Sequence, residues 1–519
     1  MDDVKTRIAR ADEALLADLG YKQEFKRAFT PLEVFGIAFS IIGLLPSIAS
    51  VLTYSIPNGG PSAMVWGWAV ASVFILFVGM SMAELAAAAP TSGGLYFWTY
   101  TYSSPRCRNL LCWIVGYANT IGSIASVASI NWGAAVQVMA AASIGAGYEA
   151  TNSTTFAVYA LITVSHAFVC CLGTRLLARL QSLYVVLNIL LSVAIIVALP
   201  AATPTELRNS ASFALGKFTN QYDWPDGYAF ILSFLAPLWV IGAFDSSVHI
   251  SEEASNAATA VPWAIVWAIL ISGVLGTAIN IAIAFCMGTD LDALFASEQP
   301  MALIFLNSFG RGGTLAVWAF VVAVQCMLAA SRQSFAFSRD GALPFSARLY
   351  RMNAHTGTPV NTVLFTAAGA LVLGLLGFAG DQATGAIFAL SIVGLYVAYS
   401  VPIAVRWVWR RENGWADGPF SLGVFSLPCA VIAVLWMTFT SIVFLFPTTK
   451  ETDGRDMNYT VVVLGGTLLL SLAWYYCPKY GGVHWFRGPV ATGKESAEDV
   501  KGSAEDVKED VKETEVGVY

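Results

Sequence analysis

The segment FSIIGLLPSIASVL (residues 39–52) is mostly apolar, yet a glycine and a proline interrupt it near its centre. It lies in an apolar run, 31–55, that is long enough to cross the roughly 30 Å of hydrocarbon in a bilayer. Pro46 lacks a backbone N–H and disfavours helical geometry at the residue before it, but it suits the start of a new helix. We therefore predict two half-helices that meet between Gly43 and Ser47; the alternative is a simple proline kink.

The chain has the composition of an integral membrane protein. Of its 519 residues, 56% are hydrophobic and 12% are charged, and the mean hydropathy is +0.64, whereas a soluble protein carries about 25% charged residues. This composition excludes soluble enzymes, nucleic-acid-binding domains and disulfide-rich secreted modules. The eight cysteines lack the spacing of a metal site, so we predict buried thiols and no metal. The apolar runs predict twelve membrane-spanning helices, spans 1 to 12, at residues 31–55, 62–89, 109–141, 154–172, 176–199, 228–250, 262–288, 314–338, 358–378, 383–407, 424–446 and 459–477.

Charged residues orient the chain in the membrane. Of the 28 Lys and Arg residues, 22 fall in one set of alternating connections that includes both tails, 5 fall in the other set, and Arg332 lies in a span. Because Lys and Arg concentrate on the cytoplasmic side, we predict that both termini are cytoplasmic. The two glycosylation sequons, at Asn152 and Asn458, both fall in connections predicted to lie outside.

A second interruption lies in span 6, which reads FLAPLWVIGAFDSSVHISEE at residues 234–253. This stretch contains Pro237, Gly242 and an acidic residue near mid-membrane, Asp245. Two interruptions at corresponding places predict a five-plus-five inverted repeat that pairs spans 1–5 with spans 6–10 and leaves spans 11 and 12 as additions. In such a fold the binding site lies where the half-helix ends converge.

The ends of the half-helices predict what this site would bind. Free N–H groups of Ser47 and Ile48, at the start of the second half of span 1, carry partial positive charge that suits a carboxylate. Carbonyl groups that end the first halves of spans 1 and 6, at residues 40–42, Val240 and Ile241, suit an amine. The two kinds of helix end therefore suit groups of opposite charge.

Three further motifs carry a resemblance to a known family. They are MAELAAAAPTSGGLYFW (82–98), FDSSVHISEE (244–253) and SRQSFAFSRDGALPFS (331–346). Together with residues 24–52 they resemble the amino acid-polyamine-organocation transporters, in particular the fungal branch of GABA, choline and amino acid permeases, over roughly residues 24–478. The resemblance implies an all-α integral membrane protein with the leucine-transporter-type fold and with substrate bound between spans 1, 3, 6, 8 and 10.

The same resemblance divides the chain into three parts. Residues 1–30 are expected to form a cytoplasmic amino-terminal tail, and residues 31–478 a twelve-span permease domain. Residues 479–519 contain the repeats SAEDVKG and SAEDVKE, whose few apolar side chains cannot offset the chain entropy of folding. We therefore predict a disordered acidic cytoplasmic tail, and lysines of both tails are candidate ubiquitin acceptors.

The resemblance and the two interruptions select the candidate substrate-binding residues. These are Ser40, Ile42, Gly43, Leu44, Leu45, Ser47, Trp239, Gly242, Phe244, Asp245, Gln325 and Tyr396. Trp239 and Phe244 resemble the aromatic residues that close over substrate in this superfamily, where an aromatic face can also hold a cationic amine. For Asp245 two roles stay open: its carboxylate either caps the N–H groups of Ser247 and Val248 or contacts a substrate amine or a proton. Polar residues of spans 3 and 10, including Asn119, Ser126 and Ser391, are further candidates for the cavity wall.

Several ionisable residues are candidates for proton coupling or for an inner gate. They are Asp245, His249, Glu84, Glu252 and Glu253, with Arg332 or Arg339 as partners for the glutamates. His249 lies one turn after Asp245, and its ordinary pKa suits proton relay. Some proton-coupled relatives carry a lysine in span 5, but the matching residue here is Asn188, which cannot titrate. A sodium-driven or exchange mode therefore stays open beside proton coupling.

The sequence as a whole predicts a secondary active transporter rather than an enzyme. The resemblance implies import of GABA or a related small amino acid by alternating access and proton symport, at the plasma membrane or alternatively the vacuolar membrane. One alternative is a choline or polyamine permease, with Trp239, Phe244 and Tyr396 as an aromatic cage. Another is a nutrient sensor that does not transport. No cofactor and no nucleic-acid partner are expected; the partners are the substrate and the lipid bilayer.

Overall fold

The fold is given by a computed structural model that describes residues 2–23, 27, 29–172, 174–325, 330–353, 356, 358–450 and 457–490. Four lysines of the predicted disordered tail, at positions 494, 501, 508 and 512, lie outside these residues, as does the side chain of Arg332. The described residues form helices and no strands. The α-helices are α1 (Asp2–Asp18), α2 (Pro31–Ile42), α3 (Leu44–Ser55), α4 (Gly60–Ala88), α5 (Leu95–Tyr102), α6 (Arg108–Ala146), α7 (Asn152–Cys171), α8 (Thr174–Ala202), α9 (Ala211–Gly216), α10 (Asp226–Leu232), α11 (Leu235–Val240), α12 (Ser246–His249), α13 (Ala257–Cys286), α14 (Leu291–Phe295), α15 (Pro300–Val324), α16 (Ala330–Arg339), α17 (Ser346–Leu349), α18 (Val360–Gly374), α19 (Asp381–Val408), α20 (Ser426–Val443), α21 (Thr460–Tyr475) and α22 (Gly482–Trp485).

Many of these helices could cross a membrane. Within the described residues, 9 helices are long and apolar enough to do so, and each coincides with a predicted span. Predicted spans 6 and 12 correspond to shorter apolar helices, at residues 226–240 and 460–475. Predicted span 8 falls on α15 and α16, which are separated by residues outside the description. The chain is therefore a multi-span helical membrane protein, and the number twelve stays a prediction.

The predicted interruption of span 1 is confirmed. Helix α2 begins with a capping box in which Thr30 and Glu33 satisfy each other's backbone N–H groups. It ends at Gly43, which adopts left-handed φ and ψ angles of 48° and 54° and donates its N–H to the carbonyl of Phe39. Helix α3 then begins at Leu44, so a single glycine separates the two halves of span 1.

Two details of this break differ from the sequence-based expectation. Pro46 is the third residue of α3 rather than its first, where its missing N–H also costs no helical hydrogen bond. The N–H of Ser47 is not free, because it donates to the carbonyl of Gly43 at 2.9 Å. Instead, the N–H groups of Leu44 and Leu45 have no hydrogen-bond acceptor among the described residues. The partial positive charge of α3 therefore lies one turn earlier than predicted.

The interruption of span 6 is confirmed as well. Helix α11 ends at Val240, residues 241–245 leave helical geometry, and α12 begins at Ser246. Within this segment Ala243 has a φ of 53°, a left-handed conformation that L-residues other than glycine seldom adopt. Long helices hold the two breaks together, since α13 lies along α4 and α19 lies along α6, while α11 contacts α3, α4 and α19.

Candidate functional site

The two broken helices enclose a small cavity. It is lined by residues next to both breaks and by residues of α6 and α19, among them Ile41, Ser47, Ser126, Trp239, Gly242, Ser391 and Tyr396. Its volume is about 20 Å³, room for about one water molecule. A ligand the size of an amino acid would therefore require surrounding side chains to move outward.

A larger vestibule lies beyond this cavity, at the connections that the charge distribution predicts to be outside. Its volume is about 340 Å³, and Tyr54, Asn152, Glu298 and Gln382 are among the residues that line it. Phe388 of α19 also lines the vestibule, and its ring packs against Trp239 with centroids 4.9 Å apart. The Trp239–Phe388 pair therefore separates the vestibule from the small cavity.

Asp245 lies behind the cavity in a buried hydrogen-bond network. Tyr399 of α19 donates its hydroxyl to Oδ1 of Asp245 at 2.7 Å, and Nε2 of His249 lies 3.2 Å from Oδ2. The carboxylate makes no capping hydrogen bond to α12, so the capping interpretation of Asp245 was wrong. Because Tyr399 lines the cavity, its hydroxyl connects the cavity wall to this carboxylate.

The surroundings of His249 restrict where its hydrogen atoms lie. Nδ1 is 2.9 Å from the carbonyl oxygen of Ser92, which can only accept, so Nδ1 carries a hydrogen. Nε2 faces Oδ2 of Asp245 at 3.2 Å and Nδ2 of Asn119 at 3.2 Å. A bare Nε2 can accept from the amide of Asn119, whereas a hydrogen bond between Nε2 and Oδ2 requires a further proton on one of these two atoms. Two hydrogen-bond arrangements that differ by one proton therefore fit these positions.

A buried ion pair lies one turn further along. Nη1 of Arg339 is 3.1 Å from Oε2 of Glu252, and both side chains are almost completely buried. The other carboxylate oxygen of Glu252 accepts the N–H of Ser92 at 3.0 Å, and the guanidinium of Arg339 stacks over the Tyr21 ring at 4.2 Å. Burial, reinforced by the nearby charge of Asp340, raises the pKa of Tyr21, so its hydroxyl stays neutral. We call Ser92, Glu252, Arg339 and Tyr21 the inner cluster.

Residues near the amino terminus cover the inner cluster. Asp12 of α1 accepts the N–H of Asn256 at 2.8 Å, and Gln23 donates to the carbonyl of Glu252 at 2.7 Å. Arg27 donates to the carbonyl of Ala254 at 2.5 Å, and Phe29 pairs with Ala254 as an isolated parallel bridge. We call the described residues between 12 and 29 the strap. The strap lies across the segment that joins α12 to α13.

Comparison with known proteins agrees with this architecture. The sequence pattern of the family described as "Amino acid permease" matches residues 29–468. An uncharacterized amino-acid permease of Schizosaccharomyces pombe is 36% identical, with 96% of this chain and 92% of the relative covered. The GABA-specific permease of Saccharomyces cerevisiae is 37% identical over 92% of this chain and 86% of its own length. Amino-acid permease 2 of Neurospora crassa is 34% identical, with 92% and 89% covered.

The chain belongs to the amino acid permease family. It is therefore a member of a transporter family within the amino acid-polyamine-organocation superfamily, and not an enzyme. The family match and the apolar helices together make the permease an integral, multi-pass membrane protein.

The predicted substrate-binding residues of the permease fall into three groups: some line the cavity, some form the adjoining break, and some do neither. Ser47, Trp239, Gly242 and Tyr396 line it, as do Ser126 and Ser391 from the wider set. Ser40, Ile42, Gly43, Leu44 and Leu45 form the adjoining break of span 1. Phe244 and Gln325 do not line the cavity, and Asp245 reaches it only through Tyr399.

The aromatic pair over the cavity differs from the predicted one. Phe244 is fully buried and packs on Tyr399 with ring centroids 5.5 Å apart, so it does not cover the cavity. Phe388 takes that place opposite Trp239. Phe388 could not be selected from the sequence, where it is one aromatic residue among others in span 10, because its position over the cavity depends on contact with a distant helix.

Of the predicted gate residues of the permease, Glu252 joins Arg339 as expected, whereas Glu84 does not. Glu84 accepts from Nη1 of Arg406 at 2.8 Å, from the hydroxyl of Ser426 at 2.6 Å and from the N–H of Leu422 at 2.9 Å. It therefore ties α4, α19 and α20 together, away from the inner cluster. Arg332 or Arg339 was the expected partner of Glu84; the described ion pair of Glu84 is instead with Arg406, which lies on the neighbouring helix α19, and the side chain of Arg332 lies outside the described residues.

Four remaining candidates are placed by the structure. Glu253 is buried, and its carbonyl accepts the N–H of Phe29 at 3.1 Å. Of the two sequons, Asn152 is exposed at the vestibule, whereas the amide of Asn458 donates to the carbonyls of Phe444 and Phe446. Asn188 is buried in α8 and donates to the carbonyl of Tyr184.

Proposed function

We propose that this permease imports GABA or a closely related small amino acid by alternating access driven by proton symport. The proposal includes a twelve-span fold with a five-plus-five inverted repeat and both termini in the cytoplasm. The plasma membrane is the proposed location, with the vacuolar membrane as the alternative. The observation that carries the proposal is the cavity between two broken helices, with the buried Asp245–His249 pair directly behind its wall.

The half-helix ends suit the two charged groups of such a substrate. The N–H groups of Leu44 and Leu45, with the hydroxyl of Ser47, would bind the carboxylate at the positive end of α3. Carbonyl groups at the end of α2 and α11, with the face of Trp239, would hold the amine. A substrate with a carboxylate and an amine would use both kinds of helix end, whereas choline has no carboxylate for the N–H groups of α3.

Two further observations favour an amino acid over choline. Of the three aromatic residues that would form a choline cage, only Trp239 and Tyr396 line the cavity, and Phe244 does not. In addition, a relative with 37% identity is named a GABA-specific permease. A choline or polyamine permease is therefore the second candidate function. Competition between labelled GABA and unlabelled choline in an uptake assay distinguishes the two candidates.

The proton would travel with the substrate through Asp245 and His249. The vestibule is open while the inner cluster and the strap close the opposite side, as expected for an outward-facing carrier. A proton taken up from outside would occupy the position between Oδ2 and Nε2, and it would be released when the inner cluster separates. Asn188 leaves no titrating side chain at the position of the family's lysine, which concentrates proton coupling on this pair.

The test is uptake of labelled GABA by purified protein in liposomes with an interior at pH 7.5. We expect faster uptake with the exterior at pH 5 than at pH 7.5, no competition by excess choline, and loss of the acceleration in Asp245→Asn. Liposomes without protein are the control. Saturable binding without uptake would instead indicate a sensor, and uptake of choline would indicate the second candidate. Equal uptake at both pH values would rule out proton symport.

A further inference from the structure

We propose that Glu252 is a positioning residue that couples a proton held between Asp245 and His249 to closure of the inner cluster, through the backbone N–H and C=O groups of Ser92. This inference rests on the proposed proton-coupled transport. It adds a mechanism by which the charge state of the buried pair would reach the cytoplasmic face.

The coupling follows one continuous path of hydrogen bonds. Ser92 lies in the connection between α4 and α5, and its backbone C=O and N–H groups each make a hydrogen bond to a side chain. Its carbonyl accepts from Nδ1 of His249 at 2.9 Å, and its N–H donates to Oε1 of Glu252 at 3.0 Å. A shift of Ser92 therefore changes both contacts together. All three residues are buried, so water does not replace either bond easily.

The proton determines whether the path is complete. With the extra proton, His249 satisfies both the carbonyl of Ser92 and the carboxylate of Asp245. Without it, Nδ1 keeps its hydrogen on the carbonyl of Ser92, and Nε2 accepts from the amide of Asn119, so the contact with Asp245 is lost. The bond from Nδ1 to Ser92 then changes from a charge-assisted hydrogen bond to a weaker neutral one. Loss of the proton therefore breaks the path at Asp245 and weakens it at Ser92.

The charged groups around this path come from several elements. Facing the Asp245–His249 pair are Tyr399 from α19 and the amide of Asn119 from α6. Facing Glu252 are Arg339 from α16, with Asp340 beside it, and Tyr21 and Arg27 from the strap. Among the described residues of the path, Glu252 forms the ion pair with Arg339. The position of Glu252 therefore determines how Arg339 stacks on Tyr21.

The strap is the element that would respond. It is bonded to the carbonyls of Glu252 and Ala254 and to the N–H of Asn256, all within the segment that follows His249. Loosening Glu252 from Ser92 would loosen this segment and the Tyr21 stack together. We therefore expect the strap to be held most firmly when the pair carries its proton and less firmly when it does not.

The experiment measures hydrogen exchange of strap peptides within residues 12–23 in the full-length purified protein, at pH 5 and pH 7.5, corrected for intrinsic exchange. Two variants isolate the ends of the path. In Asp245→Asn the amide donates to Nε2 without an added proton, so it imitates the protonated pair. Glu252→Gln removes the charge that holds Arg339. Glu84→Gln is the matched control, because it weakens an equally buried Glu–Arg pair that has no contact with Ser92.

We expect wild-type and Glu84→Gln strap protection to fall about fivefold or more between pH 5 and pH 7.5, the size of coupling common within one hydrogen-bond network. In Asp245→Asn the strap should be protected from exchange at both pH values, and in Glu252→Gln it should be protected at neither. The double variant should behave as Glu252→Gln does, because Glu252 acts after Asp245. Measuring GABA uptake in parallel separates the two proposals.

Two results would overturn the inference. One is wild-type strap protection that does not change with pH although uptake is accelerated by acid; this leaves the proposed function intact. The other is a pH response that Glu252→Gln retains and Glu84→Gln abolishes, which would assign the effect to general stability. A pH-dependent strap protection that Glu252→Gln abolishes, in a protein that takes up no GABA, would support the inference while refuting the proposed substrate.

Discussion

Trp239 has three contacts that together explain its position over the cavity. Its indole N–H donates to the hydroxyl of Ser129 at 2.9 Å, its ring packs on Phe388, and its body lines the cavity. The hydrogen bond orients the ring, and the aromatic contact closes the route to the vestibule. Substrate entry therefore requires that the Trp239–Phe388 contact open and then re-form.

We expect Trp239→Ala to raise the KM for GABA about tenfold, because it removes both the cover of the cavity and an aromatic pair worth about 0.5–1.5 kcal/mol beyond its buried area. Trp436→Ala is the matched control. Trp436 also packs in an aromatic pair, with Phe74 at 4.4 Å, but does not line the cavity. It should lower the melting temperature while leaving KM within about twofold of wild type. Equal KM values for the two variants would show that Trp239 has no special role at the cavity.

The sequence predicted single residues well where their partners were close in the chain. The proximity of Asp245 and His249 was predicted because they lie one turn apart. Tyr399 and Ser92, which hydrogen-bond to this pair, were missed because they lie 154 and 157 residues away from their partners. Contacts of this kind depend on tertiary packing, which local sequence patterns do not encode.

At the level of helices, the break of span 1 was predicted because glycine and proline have strong local effects. The exact residue of the break was not, because proline is tolerated throughout the first turn of a helix. Gly43 is the residue that must adopt a left-handed conformation, with a φ of 48°. A Cβ there would lie 3.4 Å from the carbonyl oxygen of Ser40 and from the hydroxyl of Ser47, so space is available.

We expect Gly43→Ala to destabilise the fold by about 1–2 kcal/mol, because the left-handed conformation is costly for alanine. It should also raise the KM for GABA about fivefold, since relief of that strain would turn the N–H groups of Leu44 and Leu45 away from the cavity. Gly147→Ala is the matched control: Gly147 ends α6 with a φ of 66° and has nothing within 4 Å of its added Cβ. Thermal unfolding and uptake kinetics of both variants check the prediction. A raised KM in Gly147→Ala as well would trace the effect to stability alone.

At the scale of the whole molecule, the first and last described segments of the chain pack on the same face of the helices, next to the inner cluster. The predicted amino-terminal tail contains helix α1, which is anchored by the buried residues Asp12 and Leu16. The carboxyl-terminal segment returns to the same face, where Trp485 and Phe486 pack around Trp113 of α6. The sequence did not predict either contact, because each segment offers too few apolar residues to mark a packed helix.

Asp340 joins α5 to the carboxyl-terminal segment and makes the stability of the protein depend on pH. Oδ2 of Asp340 accepts the hydroxyl of Tyr96 at 2.7 Å, and Oδ1 accepts the N–H of Val490 at 3.0 Å. Burial raises the pKa of Asp340 from 3.8 to about 6, although the positive charge of Arg339 acts in the opposite direction. A carboxyl group whose pKa is raised by folding stabilises the folded state fully below pH 4, and this contribution is lost as the pH rises through 6. The difference amounts to about 3 kcal/mol.

Asp340→Asn should remove this contribution while keeping the two hydrogen bonds, since its carbonyl accepts from Val490 and its amide donates to the Tyr96 hydroxyl. We therefore expect the melting temperature of wild type, measured in detergent micelles from pH 4 to pH 7, to fall relative to that of the variant between pH 4 and pH 6 and to run parallel to it above pH 6.5. The other carboxyl groups titrate equally in both proteins, so the difference between the two curves reports Asp340 alone. Parallel curves over the entire range would mean that Asp340 titrates as an ordinary exposed carboxyl group, and the carboxyl-terminal segment would then be held to α6 by its aromatic contacts rather than by this bond.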